Sequence, residues 1–110
     1  MVDQAYRSQT VSIASSQMTS TTFQVADAIL GGQVIFPAEM TALTAGFIAS
    51  TGRISTNFYE VCGSDGEADT LTISTSKSVQ LPTSVLCHHT VKLVTVRAEG
   101  GPRTLVVSRK

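Results

Sequence analysis

The chain is short of charge. Asp, Glu, Lys and Arg together make up 15% of its 110 residues, against roughly a quarter in an average soluble domain. The charge that is present cancels, eight acids against eight bases. A nucleic-acid binder carries a basic excess or a basic stripe. Here the bases are scattered from Arg7 to Lys110, with only a mildly basic C-terminus, which argues against that class and against direct contact with nucleic acid. No apolar run approaches the ~20 residues of a membrane span, so no membrane partner is expected. There is no Trp, and Tyr6 and Tyr59 are the only tyrosines, which leaves little for the aromatic platforms of a sugar site. Cysteine is scarce as well. Cys62 and Cys87 allow one disulfide, but the stretch from Met1 to Arg7 lacks the basic and apolar regions of a secretory signal. Cytoplasmic synthesis and reduced, buried thiols are therefore the expectation.

Hydroxyl side chains stand where the charge is missing: 13 Ser and 15 Thr. Threonine is β-branched and fits a pleated, half-exposed strand. Alternation of apolar and polar residues recurs in short runs, as in Val11 and Ile13, Phe23 and Val25, Leu71 and Ile73, Val91 and Leu93, and Leu105 and Val107. Further strands are read at 34–36, 45–50, 56–61 and 78–81, two of them ended by Pro37 and Pro82. Turns are read at Gly31-Gly32, Thr51-Gly52-Arg53, Gly63-Ser64-Asp65-Gly66 and Gly100-Gly101-Pro102; Asp65-Gly66 is the strongest hairpin signal. Segments 37–42 and 83–88 read as short helical turns. Turn spacing of about ten residues points to a sandwich or barrel. The expectation is an all-β fold, a jelly-roll-like antiparallel β-sandwich of about eight strands. Residues 1–8 are read as an N-terminal arm and 9–110 as one sandwich domain. Phe23, Phe36, Phe47 and Phe58 are the expected aromatic core.

Catalytic and metal constellations are weak. Adjacent strand residues point to opposite faces, so Cys87-His88-His89 cannot all converge on one ion. Asp65, Glu67 and Asp69 alternate like the start of a calcium loop, but the position that should hold the closing Glu is Ser76. An acidic, solvated hairpin tip is the simpler reading. No Gly-x-Ser-x-Gly elbow and no phosphate loop occurs. The chain is thus expected not to be an enzyme and to have no catalytic residue, cofactor or metal.

Taken in order, several stretches form a recognisable series. A Thr-rich first strand, Gln9 to Ser15, is followed by Gly31-Gly32-Gln33-Val34-Ile35-Phe36-Pro37. Met40-Thr41-Ala42 and Phe47-Ile48-Ala49-Ser50-Thr51-Gly52 come next, then a Tyr-Glu-Val strand and the Asp-Gly hairpin. Val79-Gln80-Leu81-Pro82, Val91-Lys92-Leu93-Val94 and Arg103-Thr104-Leu105-Val106-Val107 complete it. The series, over residues 8–109, resembles the capsid decoration, cement or staple proteins of tailed bacteriophages, in particular the staple proteins of epsilon-type short-tailed phages. The chain departs from that pattern at Ser50-Thr51-Gly52-Arg53, where Ser-x-Asp-Gly is usual, and at Cys87-His88-His89, where a Gly-aromatic stretch is usual. The resemblance implies a virion structural protein on the exterior of an icosahedral capsid, bridging neighbouring copies of the major capsid protein and stabilising the shell. It implies no catalytic residues. A homodimer on twofold positions is expected, with a trimer as the alternative. Capsid contacts are placed on Gln4, Tyr6 and Arg7 of the arm, because Tyr and Arg are enriched at interfaces. The other readings are a head–tail joining or tail component, or a carbohydrate-binding β-sandwich on the virion surface.

Overall fold

A computed structural model of the protein describes residues 7–25, 31–50, 57–88 and 90–109. Nine strands fill it: β1 (Arg7–Ile13), β2 (Phe23–Gln24), β3 (Gly32–Ile35), β4 (Thr44–Ser50), β5 (Phe58–Glu60), β6 (Leu71–Thr72), β7 (Ser78–Gln80), β8 (Thr90–Thr95) and β9 (Arg103–Arg109). One sheet has the order β1-β9-β3-β7, the other β2-β8-β4-β5, with β6 also paired to β4. All pairings are antiparallel. The pairs nest: the first strand meets the last, the second the next to last, and the third β7. Successive nested pairs alternate between the sheets, which is the wrapped order of a jelly roll.

Eight strand positions are occupied by nine strands because one is interrupted. Ile48 faces Glu60 and Ala45 faces Leu71, both across the same edge of β4. Three steps back along β4 correspond to eleven steps forward in the chain, so eight residues, 62–69, are extra. They fold out as a small hairpin, bridged between Cys62 and Ala68. Gly66 turns it with φ +80, a conformation that favours glycine. Its amide donates to the Gly63 carbonyl, and the Asp65 carboxylate accepts from the Glu67 amide. The Asp-Gly turn read from the sequence is present, inside one strand position of the sandwich.

The core lies between the inner faces. Val11, Ile13, Val34, Leu105 and Val107 meet Phe23, Ala45, Phe47, Val91 and Leu93, all buried. Small side chains on β4 leave room for the rings, so the layers interdigitate. Gly32 is fixed by crowding: a Cβ there would stand 2.9 Å from Leu81 Cδ1. At the seam between the sheets, the Gln9 side chain stands in for a strand. Its Nε2 donates to the Gln24 carbonyl and its Oε1 accepts from the Gln24 amide, at 2.6 and 3.1 Å.

The two outer faces differ. On the four-stranded sheet, Ser8, Ser108, Gln33 and Gln80 form one cross-strand row. Thr10, Val106, Ile35 and Ser78 form the next, with Ser12 beside Thr104 beyond it. None of these ten side chains is charged. The outer face of the other sheet carries Lys92, whose Nζ lies 4.5 Å over the Phe58 ring, and Glu60 opposite Ile48.

Several expectations are corrected. Phe23, Phe36 and Phe47 are core, but Phe58 is only half-buried, because it stands on an edge strand and on the outer face. Segment 37–42 forms no helical turn; its amides are drawn to the Glu99 carboxylate instead. The turn expected at 83–88 is a 3-10 turn at Val85–Cys87. Cys62 is a free thiol and exposed rather than buried, since it sits at the base of the extruded hairpin. Two residues assigned to the arm, Arg7 and Ser8, are the first of β1, paired with Arg109 and Ser108. The rest of the arm, with Gln4 and Tyr6, and the turn at Thr51-Gly52-Arg53 lie outside the described residues.

Candidate interaction surface

Antiparallel order sends the β1–β2, β3–β4, β6–β7 and β8–β9 connections to the same end of the sandwich. There, one buried acid ties three of them together. Glu99 is 1% exposed. Its carboxylate accepts from the Thr41 amide at 2.7 Å, the Ala42 amide at 3.0 Å and Arg103 Nε at 3.0 Å. Its own amide donates to the Gln17 carbonyl, and its carbonyl accepts from the Ser16 amide. Thr41 Oγ1 accepts from the Gly100 amide and from Arg103 Nη2. Arg103 also reaches exposed Glu39, 3.7 Å away. Burial by itself would push the Glu99 carboxyl up. The Thr41 and Ala42 amides and the Arg103 guanidinium outweigh that, and the net shift is downward. The acid is therefore held ionised, and a buried charge kept in this way requires its full set of partners.

On this tied framework stand three of the chain's exposed large apolar side chains: Leu43 at 72%, Val96 at 57% and Met18 at 41%. They belong to neighbouring segments. The Thr95 amide donates to the Met18 carbonyl, and the Val96 amide to the Thr44 carbonyl. Scattered exposed apolar residues are ordinary, but here three are brought to one end, on loops held by a buried ion pair, which makes this end the candidate interaction surface. Arg7 enters β1 at the opposite end of the sandwich from these loops. The sequence reading missed the loop end. Its signal is Glu99 four residues before Arg103 across Gly100-Gly101-Pro102, which marks a turn closed by an ion pair.

The remaining features carry less chemistry. An open groove of about 600 Å³ follows the seam between β1 and β2, lined by Ser12, Thr19, Thr21, Thr22, Lys92 and Thr104 among others. No aromatic ring lines it, so it offers no stacking face to a sugar. Among the described residues, no group of three or more His, Cys, Asp and Glu could hold a metal ion. The Cys62 thiol is held above its usual value by local desolvation at the hairpin base and by the carboxylates of Glu60, Asp69 and Glu67, which suppresses the thiolate. Asp69 is in turn hydrogen-bonded by the Ser84 hydroxyl.

Strand order and the two packed sheets define the class of protein: an all-β jelly-roll sandwich. No known family model matches the chain, and no curated protein matches it. Among solved structures, the chain is similar in fold to the SPBc2 prophage-derived protein YomS. The two share 13% sequence identity and a TM-score of 0.58, over 99% of this chain and 97% of that one.

Proposed function

We propose that the protein is a bacteriophage virion component that binds the exterior of an icosahedral capsid and staples neighbouring major capsid subunits. The observation that carries the reading is the loop end, where Leu43, Val96 and Met18 are exposed on loops fixed by Glu99. Such a surface binds without first ordering itself, so less of the contact energy is lost to entropy. A chain-long fold likeness to a prophage-derived protein supports the phage origin. Hydroxyl-rich, neutral composition supports life in an assembly, since zero net charge is poor at keeping free protein dispersed. A staple acts by adding contacts across a joint that would otherwise open, and a homodimer on a twofold axis grips two subunits at once. The second grip is effectively intramolecular, so a modest contact becomes long-lived.

The test is co-sedimentation of the purified protein with undecorated shells of the phage that encodes it, quantified as copies per major capsid subunit. Saturation at a fixed ratio is expected. Absence of binding by protein that circular dichroism shows to be folded would remove the stapling role.

A further inference from the structure

The geometry points to the outer face of the four-stranded sheet as the surface where one copy of this chain meets a second copy. This names the self-contact of the dimeric staple proposed above and rests on that reading. An exposed sheet face ordinarily carries charge that keeps copies apart. Here ten outward positions across four strands carry none, while the outer face of the second sheet carries Lys92 and Glu60. The face instead holds hydroxyls and primary amides around Ile35, which is 41% exposed, and half-buried Val106.

That chemistry suits a copy of itself better than another partner. A twofold axis brings a patch against the same patch. Carboxylates only accept and ammonium groups only donate, so a charged face meeting itself is both repulsive and unable to hydrogen-bond. Hydroxyls and amides do both, so each polar group can pair with its own counterpart. Ile35 and Val106, adjacent in one row, supply the apolar centre, and sheets pack face to face at about 10 Å.

Size sets the strength. Strands of seven, seven, four and three residues span on the order of 350 Å² at about 3.4 Å per residue and 4.8 Å per strand. A standard interface covers about 800 Å² per partner. The free dimer is therefore weak and reversible, and gripping a shell on both sides would strengthen it.

Sedimentation velocity over a concentration series reaching about 1 mM tests this without any shell. The wild-type chain is expected to show reversible monomer–dimer exchange, and Ile35→Lys to weaken it at least about tenfold. Ile48→Lys, on the outer face of the other sheet, should leave it unchanged. An equimolar mixture of Ile35→Lys and Ile35→Asp should recover a dimer. Should Ile35→Lys fail to fold by circular dichroism, Ser78→Lys at an exposed position of the same face gives the same reading. A wild-type chain that stays monomeric throughout, or a folded lysine variant that dimerises normally, overturns the proposal. A monomer that still decorates shells would reject this face and keep the capsid reading; a dimer that ignores shells would do the reverse.

Discussion

Glu99 is the residue on which the loop end depends. Its side chain is fully buried, and Arg103 beside it is 15% exposed, so solvent screens the pair little. Removing the carboxylate strands the Thr41 and Ala42 amides and the Arg103 guanidinium together. Glu99→Ala should therefore cost about 3 kcal/mol, as breaking a buried pair does, read as a shift in the urea midpoint. The pH dependence follows from the direction of its shift. A carboxyl held below its ordinary value of 4.5 adds stability that is fully present above that value and lost as pH falls through the lower, folded one. Wild-type stability should thus fall more steeply below about pH 4.5 than that of Glu99→Gln. Parallel curves would show that another acid governs the acid limb. Nothing in the alternation of the sequence marks Glu99, because a single acid among Gly, Pro and Arg looks like solvated loop. The spacing of Glu99 and Arg103 across Gly100-Gly101-Pro102 hints at their pairing, but the burial comes from three distant loops converging, which no local pattern encodes.

At the level of elements, the strands were legible because period-two alternation reports burial directly: Val11, Ile13, Phe23, Val25, Leu105 and Val107 all face the core. The exceptions have physical reasons. Phe58 is apolar like a core residue, but it lies on β5, at an edge, where its ring covers the outer face under Lys92. The hairpin at 62–69 carries a strong turn signal, yet local sequence cannot tell a hairpin between two strands from one extruded within a single strand position. Register distinguishes them. Val61 donates to the Phe47 carbonyl, and Leu71 faces Ala45, which leaves Thr70 as the residue opposite Gly46. Joining Val61 directly to Thr70 should therefore give one continuous edge strand. Deleting residues 62–69 is expected to preserve cooperative unfolding and the β-type circular dichroism spectrum. Loss of the Ser84–Asp69 hydrogen bond costs about 1 kcal/mol, partly offset because the closed loop is gone. A chain that no longer unfolds cooperatively would mean that the hairpin is part of the sheet's support.

For the whole molecule, the proposed stapling role needs two contacts, and it assigns them to two surfaces on different sides. The uncharged sheet face suits a second copy, and the loop end suits the shell. Neither surface was visible in the sequence as a motif, since each is assembled from strands or loops far apart in the chain. The arm was placed as the capsid contact on residue type alone, and the structure limits how that idea is tested. Because Arg7 and Ser8 pair with β9, a truncation that probes the arm without damaging the sheet removes residues 2–6 only. The loop end is separable from both. Leu43 is 72% exposed, so Leu43→Asp deletes no core contact and should leave the melting temperature within a degree or two, as surface changes usually do. If the loop end grips the shell, the same substitution introduces an unpaired charge into the apolar contact and should weaken shell binding about tenfold or more. Sheet-face self-association, measured on the same sample, should not move. Shell binding that survives Leu43→Asp but fails on removal of residues 2–6 would transfer the capsid contact from the loop end to the arm.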